Sequence, residues 1–451
     1  ELREVRRVEQ AVEMRSEHGG DQLALLRLLR RVPLTLKAMV KVNPIRHALV
    51  PVDSGAAQRL CSPNYDEFQS DREIWDLLQF QPDSVLCVTM PHCNAPSADD
   101  MLEDGSREAL AEGAGKMAQM VASPLTKVVE TTLFLYEIVD PVRPDVRQIG
   151  LGGMAPTGDI RTEATPDGVI IRNEGIREEK AKGRADLIEA TKAIIGTVNL
   201  SVDDRDGNFL ELMQHYADQR PCDFEALDNE DGSAHRIWLI TDPDEIVSFC
   251  EVLAAEPHAY VADGNHRSAA AAMRGTGGFL TVFFPAHTMG LAPYNRLVTA
   301  PGITLDTLTN GLSEAFDIER LEASIYQPGR VHEIGVYMDG GWLKLTPRSG
   351  AYDTSNAAQA IDSDIVQRHI FAGILGIEDP RAKELTFVGG NRDAGYLKSE
   401  VDAGRHDLAV TLAPVTIEQF IEVCRQNRIM PPKSTWFQPK IRSGLVMALL
   451  G

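Results

Sequence analysis

The chain has 451 residues, with 45 Lys and Arg against 66 Asp and Glu, a formal net charge of −21. At about 150 residues per domain it predicts two or three structural units and excludes a lone small module. An acidic field of that size repels phosphate backbones and anionic lipid, so neither nucleic acid nor a membrane is an expected partner. A hydrophobic content of 43% is that of a folded globular protein and well above what disordered chains carry. The six cysteines, Cys61, Cys87, Cys93, Cys222, Cys250 and Cys424, form no CxxC pair. Neither a zinc knuckle nor a thioredoxin-type centre can be read from their spacing, and reduced thiols in a cytoplasmic protein are expected. No apolar run approaches the roughly 20 residues that span a bilayer.

Residues 1–38 are rich in Arg and Glu and hold a short helical pattern at Leu23-Ala24-Leu25-Leu26-Arg27-Leu28-Leu29-Arg30-Arg31. They read as an extension outside the fold, because Met39-Val40-Lys41-Val42 looks like a native start. Residues 39–150 form an expected N-terminal α/β region, with strands predicted at Ser84 to Thr89 and Thr132 to Val139. The Gly-rich run Gly150-Leu151-Gly152-Gly153 reads as a connection to an expected core at residues 151–300. Within it a helix is predicted from Arg184 to Ile195, stopped by Gly196. Arg236 to Ile240 reads as a strand, and Thr241-Asp242-Pro243-Asp244-Glu245 as a capped helix start with Pro just inside. Residues 301–451 form an expected C-terminal α/β region that opens with a hairpin turning at Asp339-Gly340. It continues with a helix at Ala357 to Leu375, a strand at Leu385 to Val388, a short helix before Gly404, a strand at Asp407 to Leu412 and a helix at Thr416 to Gln426. The order of elements predicts a mixed α+β fold with several antiparallel pairs.

The sharpest local signal is Ala259-Tyr260-Val261-Ala262-Asp263-Gly264-Asn265-His266-Arg267-Ser268, followed by an Ala-rich helix that Gly275 stops. A strand enters a turn at Asp263-Gly264, and the helix N-terminus falls where His266 and Arg267 project. The first amides of a helix lack intrahelical partners and carry the positive end of its dipole, which makes such a turn an anion cradle. Gly264 lets backbone approach a ligand, Arg267 adds a planar donor fork, His266 a donor whose charge can respond to pH, and Asp263 a carboxylate at the mouth. The plainer alternative is a capped helix with a solvated first turn. Cations are misplaced there on dipole grounds, which an occupying anion would explain.

A second signal is Met430-Pro431-Pro432-Lys433-Ser434-Thr435-Trp436-Phe437-Gln438-Pro439-Lys440, two hydroxyls beside a lysine in a run stiffened by prolines. Less marked candidates are Asp66 in Pro63-Asn64-Tyr65-Asp66-Glu67, Glu174 in Arg172-Asn173-Glu174, and Arg296 in Pro293-Tyr294-Asn295-Arg296. There is no Walker loop, GxSxG elbow, HExxH or GxGxxG.

On these residues the chain resembles domain-of-unknown-function family 1015 of bacteria and archaea, from about Val42 to Leu450. The family's Tyr-hydrophobic-Ala-Asp-Gly-His-His-Arg hallmark is matched from Tyr260 to Arg267, its Trp-hydrophobic-hydrophobic-Thr-Asp-Pro from Trp238 to Pro243, and its C-terminal Met-Pro-x-Lys-Ser-Thr motif from Met430. The departures are Asn265 for the first hallmark His, Asn173 for the His of Arg-His-Glu, Ser268 for the tyrosine after the hallmark arginine, and Asn64 for the second Pro of Pro-Pro-Tyr-Asp.

The hallmark is also similar to the phosphate motif of the ParB/sulfiredoxin-like superfamily, whose free-serine kinases carry an Asp-Gly-Asn-His-Arg run. That similarity implies a ParB/sulfiredoxin-like nucleotide-binding core with further α/β elements at both ends. It implies a Mg²⁺-assisted phosphotransferase using ATP or ADP on a small hydroxyl-bearing metabolite such as L-serine. Gly264, Asn265, His266 and Arg267 would hold nucleotide phosphates, and Asp263 would assist the acceptor hydroxyl or Mg²⁺. Lys433, Ser434, Thr435, Lys440 and Arg296 would complete the pocket, with Asp66 or Glu174 as base or metal ligand. The alternative is a non-catalytic nucleotide sensor of the ParB type.

Overall fold

The computed structural model describes residues 39–451 apart from Glu230, so the helical pattern expected at Leu23 to Arg31 lies outside the described residues. In chain order the first strands are β1 (Ile45–Pro51), β2 (Thr126–Val139), β3 (Gln148–Pro156), β4 (Ile170–Ile171), β5 (Ala193–Ile194) and β6 (Val198–Val202). They are followed by β7 (Phe224–Leu227), β8 (Ala234–Ile240), β9 (Ala259–Asp263) and β10 (Gly278–Pro285). These ten, with the C-terminal strand, form an eleven-stranded sheet in the order β4-β9-β6-β10-β3-β2-β1, then that last strand and β5, while β8 and β7 branch from β2.

Both faces of this sheet are covered, which explains the unbroken apolar runs of its central strands. Phe134, Tyr136 and Ile138 of β2 pack into one core with Leu280, Val282 and Phe284 of β10. Leu133 and Leu135 pack into the opposite one with Phe279 and Phe283. Successive side chains of a strand point to opposite faces, so both sets come from the same residues read in alternation. The glycines expected to form a connection at 150–153 lie within β3. A Cβ on Gly152 would stand 2.1 Å from the Phe134 ring, so the ring lies over bare backbone, and the glycines serve packing rather than a turn.

The remaining strands are β11 (Leu291–Ala292), β12 (Asn295–Val298), β13 (Phe316–Leu321), β14 (Ile334–Met338), β15 (Gly341–Pro347), β16 (Leu385–Val388), β17 (Leu408–Leu412), β18 (Trp436–Phe437) and β19 (Met447–Leu449). A second, six-stranded sheet has the order β13-β15-β14-β17-β12-β16. The expected hairpin is β14–β15, with Asp339 and Gly340 both at positive φ, as a tight two-residue turn requires. The chain then returns toward the first sheet. β18 pairs with β11, and β19 inserts between β1 and β5. Residues 430–440 are thereby threaded from the second sheet to the first.

Three expectations change. The segment Ser84 to Thr89 is a turn followed by a helix, Leu86–Thr89, because its apolar residues fill a core formed with Leu60, Ile74 and Met117 and pair with no strand. The helix predicted at Arg184 to Ile195 runs over Glu178–Thr191 and ends at Lys192, which is left-handed, so that Ala193 and Ile194 can pair as β5. The helix predicted at Ala357 to Leu375 shortens to Asp362–Val366 continued by a wide turn at Gln367–Ala372. The fold is mixed α+β, and Met39–Gly451 is one compact unit. β3 crosses the boundary expected at residue 150, and the first sheet takes strands from all three expected regions.

Candidate functional site

β9 ends at Asp263, Gly264 turns with φ +96°, and the helix Asn265–Arg274 departs. The turn requires glycine twice over: φ is left-handed, and a Cβ would lie 3.0 Å from Arg267 Nε and 3.2 Å from Val198 Cα. Opposite it, the pairing of β9 with β6 is interrupted by a bulge between Asn199 and Leu200, which re-aims the strand end. No side chain caps the helix. Its first amides therefore carry the positive end of the dipole without a side-chain partner.

The second motif meets the first here. Lys440 Nζ stands 3.3 Å from Asp263 Oδ1, while Oδ2 is ion-paired with Arg267. Burial opposes the Asp263 charge, but Lys440, Arg267 and Lys433 outweigh it and hold the carboxyl well below the usual range. Burial also works against Lys433 and Lys440, yet both are held above the ordinary lysine value, Lys433 mainly by Tyr294, Asp66 and Glu174, and Lys440 mainly by Asp263 and Asp66. Lys440 lies 4.6 Å over the Trp436 ring and Lys433 5.7 Å over Tyr294.

Asp66 comes from a third segment, the turn Tyr65–Glu67. That turn is tied to the C-terminal motif by Asn64, which donates to the Ile441 carbonyl at 2.8 Å and accepts from Ser443 Oγ at 2.8 Å. Asp66 Oδ1 is buried without a hydrogen-bond partner, and its charge bears on Lys180, Arg267, Lys433 and Lys440. Beside it, burial pushes the Glu67 carboxyl up to about 7 against the pull of Arg442 and Lys440. Glu174 is likewise raised by burial, and its backbone bridges to Met430, which anchors the lysine loop.

Several roles differ from expectation. The Arg267 fork is 9% exposed and bonded to Asp263, the Thr197 carbonyl and Asn64 Oδ1, so it braces the cradle. Gly196 makes room for it, since a Cβ there would lie 2.7 Å from Arg267 Cδ; this glycine is a clearance and not a helix stop. His266 accepts the Arg177 amide on Nε2 at 3.0 Å. Burial, then Lys180, Lys433 and Arg177, push it down to about 4, so its charge does not respond near neutral pH. Arg296 spends its guanidinium on the carbonyls of Tyr294, Asn295, Pro432 and Lys433, the last at 3.0 Å. It shapes the lysine loop, in which Lys433 itself has φ +58°, and offers no donor fork to a ligand. Ser434 accepts from Ser363 Oγ at 2.8 Å and donates to the Pro431 carbonyl, again holding the loop. Thr435 is partly exposed on the same loop. Asn265 and Asn173, the two positions that depart from the family's histidines, face each other, Asn265 Nδ2 to Asn173 Oδ1 at 3.5 Å.

A family model described as Protein of unknown function (DUF1015) matches residues 42–368. The chain belongs to that family. The match stops before the lysine loop, which the resemblance had included. No curated protein matches the chain. Among solved structures, the chain is similar to SbnI with C-terminal truncation from Staphylococcus aureus, at 12% identity and TM-score 0.37, over 66% of this chain and 87% of that one. It is similar to a free serine kinase in complex with AMP, at 10% identity and TM-score 0.35, over 60% and 83%. A conserved hypothetical protein from Pyrococcus furiosus is matched at 11% identity and TM-score 0.34, over 62% and 92%.

Two cations that sequence reasoning missed lie near the turn of this family member, beside Arg184, which fits the family's pattern downstream of Glu174. Lys180 and Arg177 add positive charge at the rim, signalled only by the run Arg177-Glu178-Glu179-Lys180 just past Glu174. Arg184 stacks 3.6 Å over Tyr65 and donates to the Thr89 carbonyl at 2.7 Å. Arg184, Tyr65 and Thr89, with Leu187, Ile188 and Ile194, line a cleft that continues from Arg267.

Proposed function

We propose that this protein is a nucleotide-dependent phosphotransferase acting on a small hydroxyl-bearing metabolite, built on a ParB/sulfiredoxin-like core. One observation carries the reading: in a chain of net charge −21, Lys180, Lys433 and Lys440 converge on an uncapped helix N-terminus, beside a cleft that Arg267 helps to line. Phosphoryl transfer asks mainly for positioning and charge neutralisation, and amides with ammonium groups supply both. Lys433, Lys440 and the amides of Asn265 and His266 would hold the phosphates, while the mostly apolar cleft takes the nucleoside. Asp66, whose buried Oδ1 lacks a partner, suits a Mg²⁺ ligand or the base for the acceptor hydroxyl. Mg²⁺ would supply neutralisation of the β- and γ-phosphate oxygens. Asp263, ion-paired on both oxygens, is a poor base and orients Lys440 and Arg267 instead.

That engagement of Asp263 favours one second reading, a nucleotide sensor that binds without turnover. The test is a thermal-shift series with ATP, ADP, CTP and GTP plus Mg²⁺, repeated with Lys433→Gln, then phosphate transfer to L-serine and other small alcohols. A ligand at about 100 times its Kd adds roughly 2.7 kcal/mol of stability. Binding that weakens in the variant together with transfer supports the kinase, and binding without transfer supports the sensor. No shift with any nucleotide overturns both.

A further inference from the structure

On the side of the fold formed by residues 64–104, a turn and a helix bring together three groups with metal-ligand chemistry. Asp71 is the first residue of the helix Asp71–Phe80, and His92 and Cys93 are consecutive in the turn Pro91–Cys93. Their ligand atoms lie within 4.8 Å of one another. The segments are pinned independently: Trp75 Nε1 donates to the Ala95 carbonyl at 2.9 Å, and Asn94 Nδ2 to the Cys87 carbonyl at 2.7 Å. The donors are therefore held by the fold rather than gathered by chance on mobile loops.

His92 is the observation that points to a ligand. Its ring is 2% exposed, yet neither nitrogen makes a hydrogen bond. Buried polar atoms are nearly always hydrogen-bonded, whereas this ring has only two carboxylates as ion-pair partners. Nε2 lies 3.3 Å from Asp71 Oδ2 without a hydrogen bond between them. With metal–ligand bonds of about 2.0–2.1 Å and a tetrahedral angle, the N···O edge of a zinc site is about 3.3 Å. On the far side of the ring, Asp104 Oδ1 stands 3.4 Å from Nδ1. A carboxylate behind the non-ligating nitrogen is the arrangement that fixes the tautomer and orientation of a metal-bound histidine.

We propose that Asp71, His92 and Cys93 bind one Zn²⁺ per chain, with water as the fourth ligand and Asp104 orienting His92. Sulfur, nitrogen and a single carboxylate select a borderline-soft divalent ion over Mg²⁺ or Ca²⁺, which prefer all-oxygen sites. Binding releases the Cys93 thiol proton to solvent, and thiolate plus carboxylate then balance the dication. The ion cross-links the segment that carries Asp66 to the one whose Thr89 and Met90 hold Arg184 at 2.7 and 3.2 Å, so it braces two walls of the cleft. The absence of any CxxC pair hid this site, because its third ligand lies some twenty residues upstream.

The test uses the full chain, stripped with a chelator and titrated with Zn²⁺ by calorimetry, with elemental analysis for stoichiometry. Wild type is expected to bind one equivalent. Asp71→Asn and Cys93→Ser are expected to lose at least about tenfold in affinity, and Asp104→Asn about 10- to 100-fold. Co²⁺ is expected to give a thiolate charge-transfer band in wild type that Cys93→Ser lacks. The Asp71 and Asp104 side chains are 53% and 69% exposed, so their amide variants keep the fold even where a change at buried Cys93 does not. No stoichiometric Zn²⁺ in wild type, or Asp71→Asn binding as wild type does, overturns the proposal.

Discussion

Replacing Asp263 by Asn tests the electrostatic construction of the cradle. The side-chain shape is kept, so the change removes one negative charge from between Arg267 and Lys440 and leaves both cations in a mostly buried setting. Deleting one partner of a buried pair costs about 3–5 kcal/mol, because the remaining charge is uncompensated. Unfolding entropy of roughly 2 cal/mol/K per residue over about 400 residues makes each kcal/mol worth about 1.2 °C. The melting temperature of Asp263→Asn is therefore expected to fall by about 4–6 °C in dilute buffer, measured by calorimetry. The same cations then want an anion, so inorganic tripolyphosphate is expected to raise the melting temperature of the variant by more than it raises that of wild type. A variant melting within about 1 °C of wild type, or one that tripolyphosphate leaves unmoved while wild type responds, would refute the argument that Asp263 balances cations meant for phosphate.

Gly264→Ala forces a Cβ into a left-handed turn and against Arg267, and it is expected to lose about 1–3 kcal/mol in urea unfolding. Arg296→Lys, which cannot serve four carbonyls at once, is expected to weaken nucleotide binding several-fold through the Lys433 loop while the melting temperature moves little; a collapse in stability would show that the arginine holds the core instead. Glu67, raised to about 7 in the fold, keeps a proton that the unfolded chain releases near its ordinary value. Stability is thus lost as pH rises from about 4.5 to 7, with a ceiling of about 3 kcal/mol, and Glu67→Gln is expected to flatten that slope in denaturation curves. His266 stays neutral above about pH 4, so nucleotide affinity is expected to show no His266-dependent step between pH 6 and 8; a step abolished by His266→Gln would contradict its assignment.

Local chemistry was legible wherever a short run of residues decides it. The strand, turn and helix around Asp263-Gly264-Asn265, the Asp242-Pro243 helix start and the Asp339-Gly340 hairpin all follow from φ requirements and caps that lie within a few residues. The positive charge of the site was legible too, since Lys433 and Lys440 stand in a stiff motif. What each side chain does with that charge was not. Arg267 read as a donor fork and Arg296 as a pocket residue because a sequence displays donors but not the carbonyls and carboxylates that consume them. Gly150 to Gly153 read as a linker and Gly196 as a stop because the reason for each is a neighbour far away in sequence, the Phe134 ring in one case and the Arg267 stem in the other. The meeting of residues 263–267 with 430–440 depends on the C-terminal chain crossing from the second sheet to the first, with β18 on β11 and β19 between β1 and β5. The sequence by itself thus determined the α+β class, the glycine turn before the Asn265–Arg274 helix and the lysine motif, all set by interactions between near neighbours. Tertiary structure alone decided which cations gather at Asp263, that Asp66 Oδ1 is buried without a hydrogen bond and where Asp71 meets His92 and Cys93, because those depend on contacts between segments tens to hundreds of residues apart.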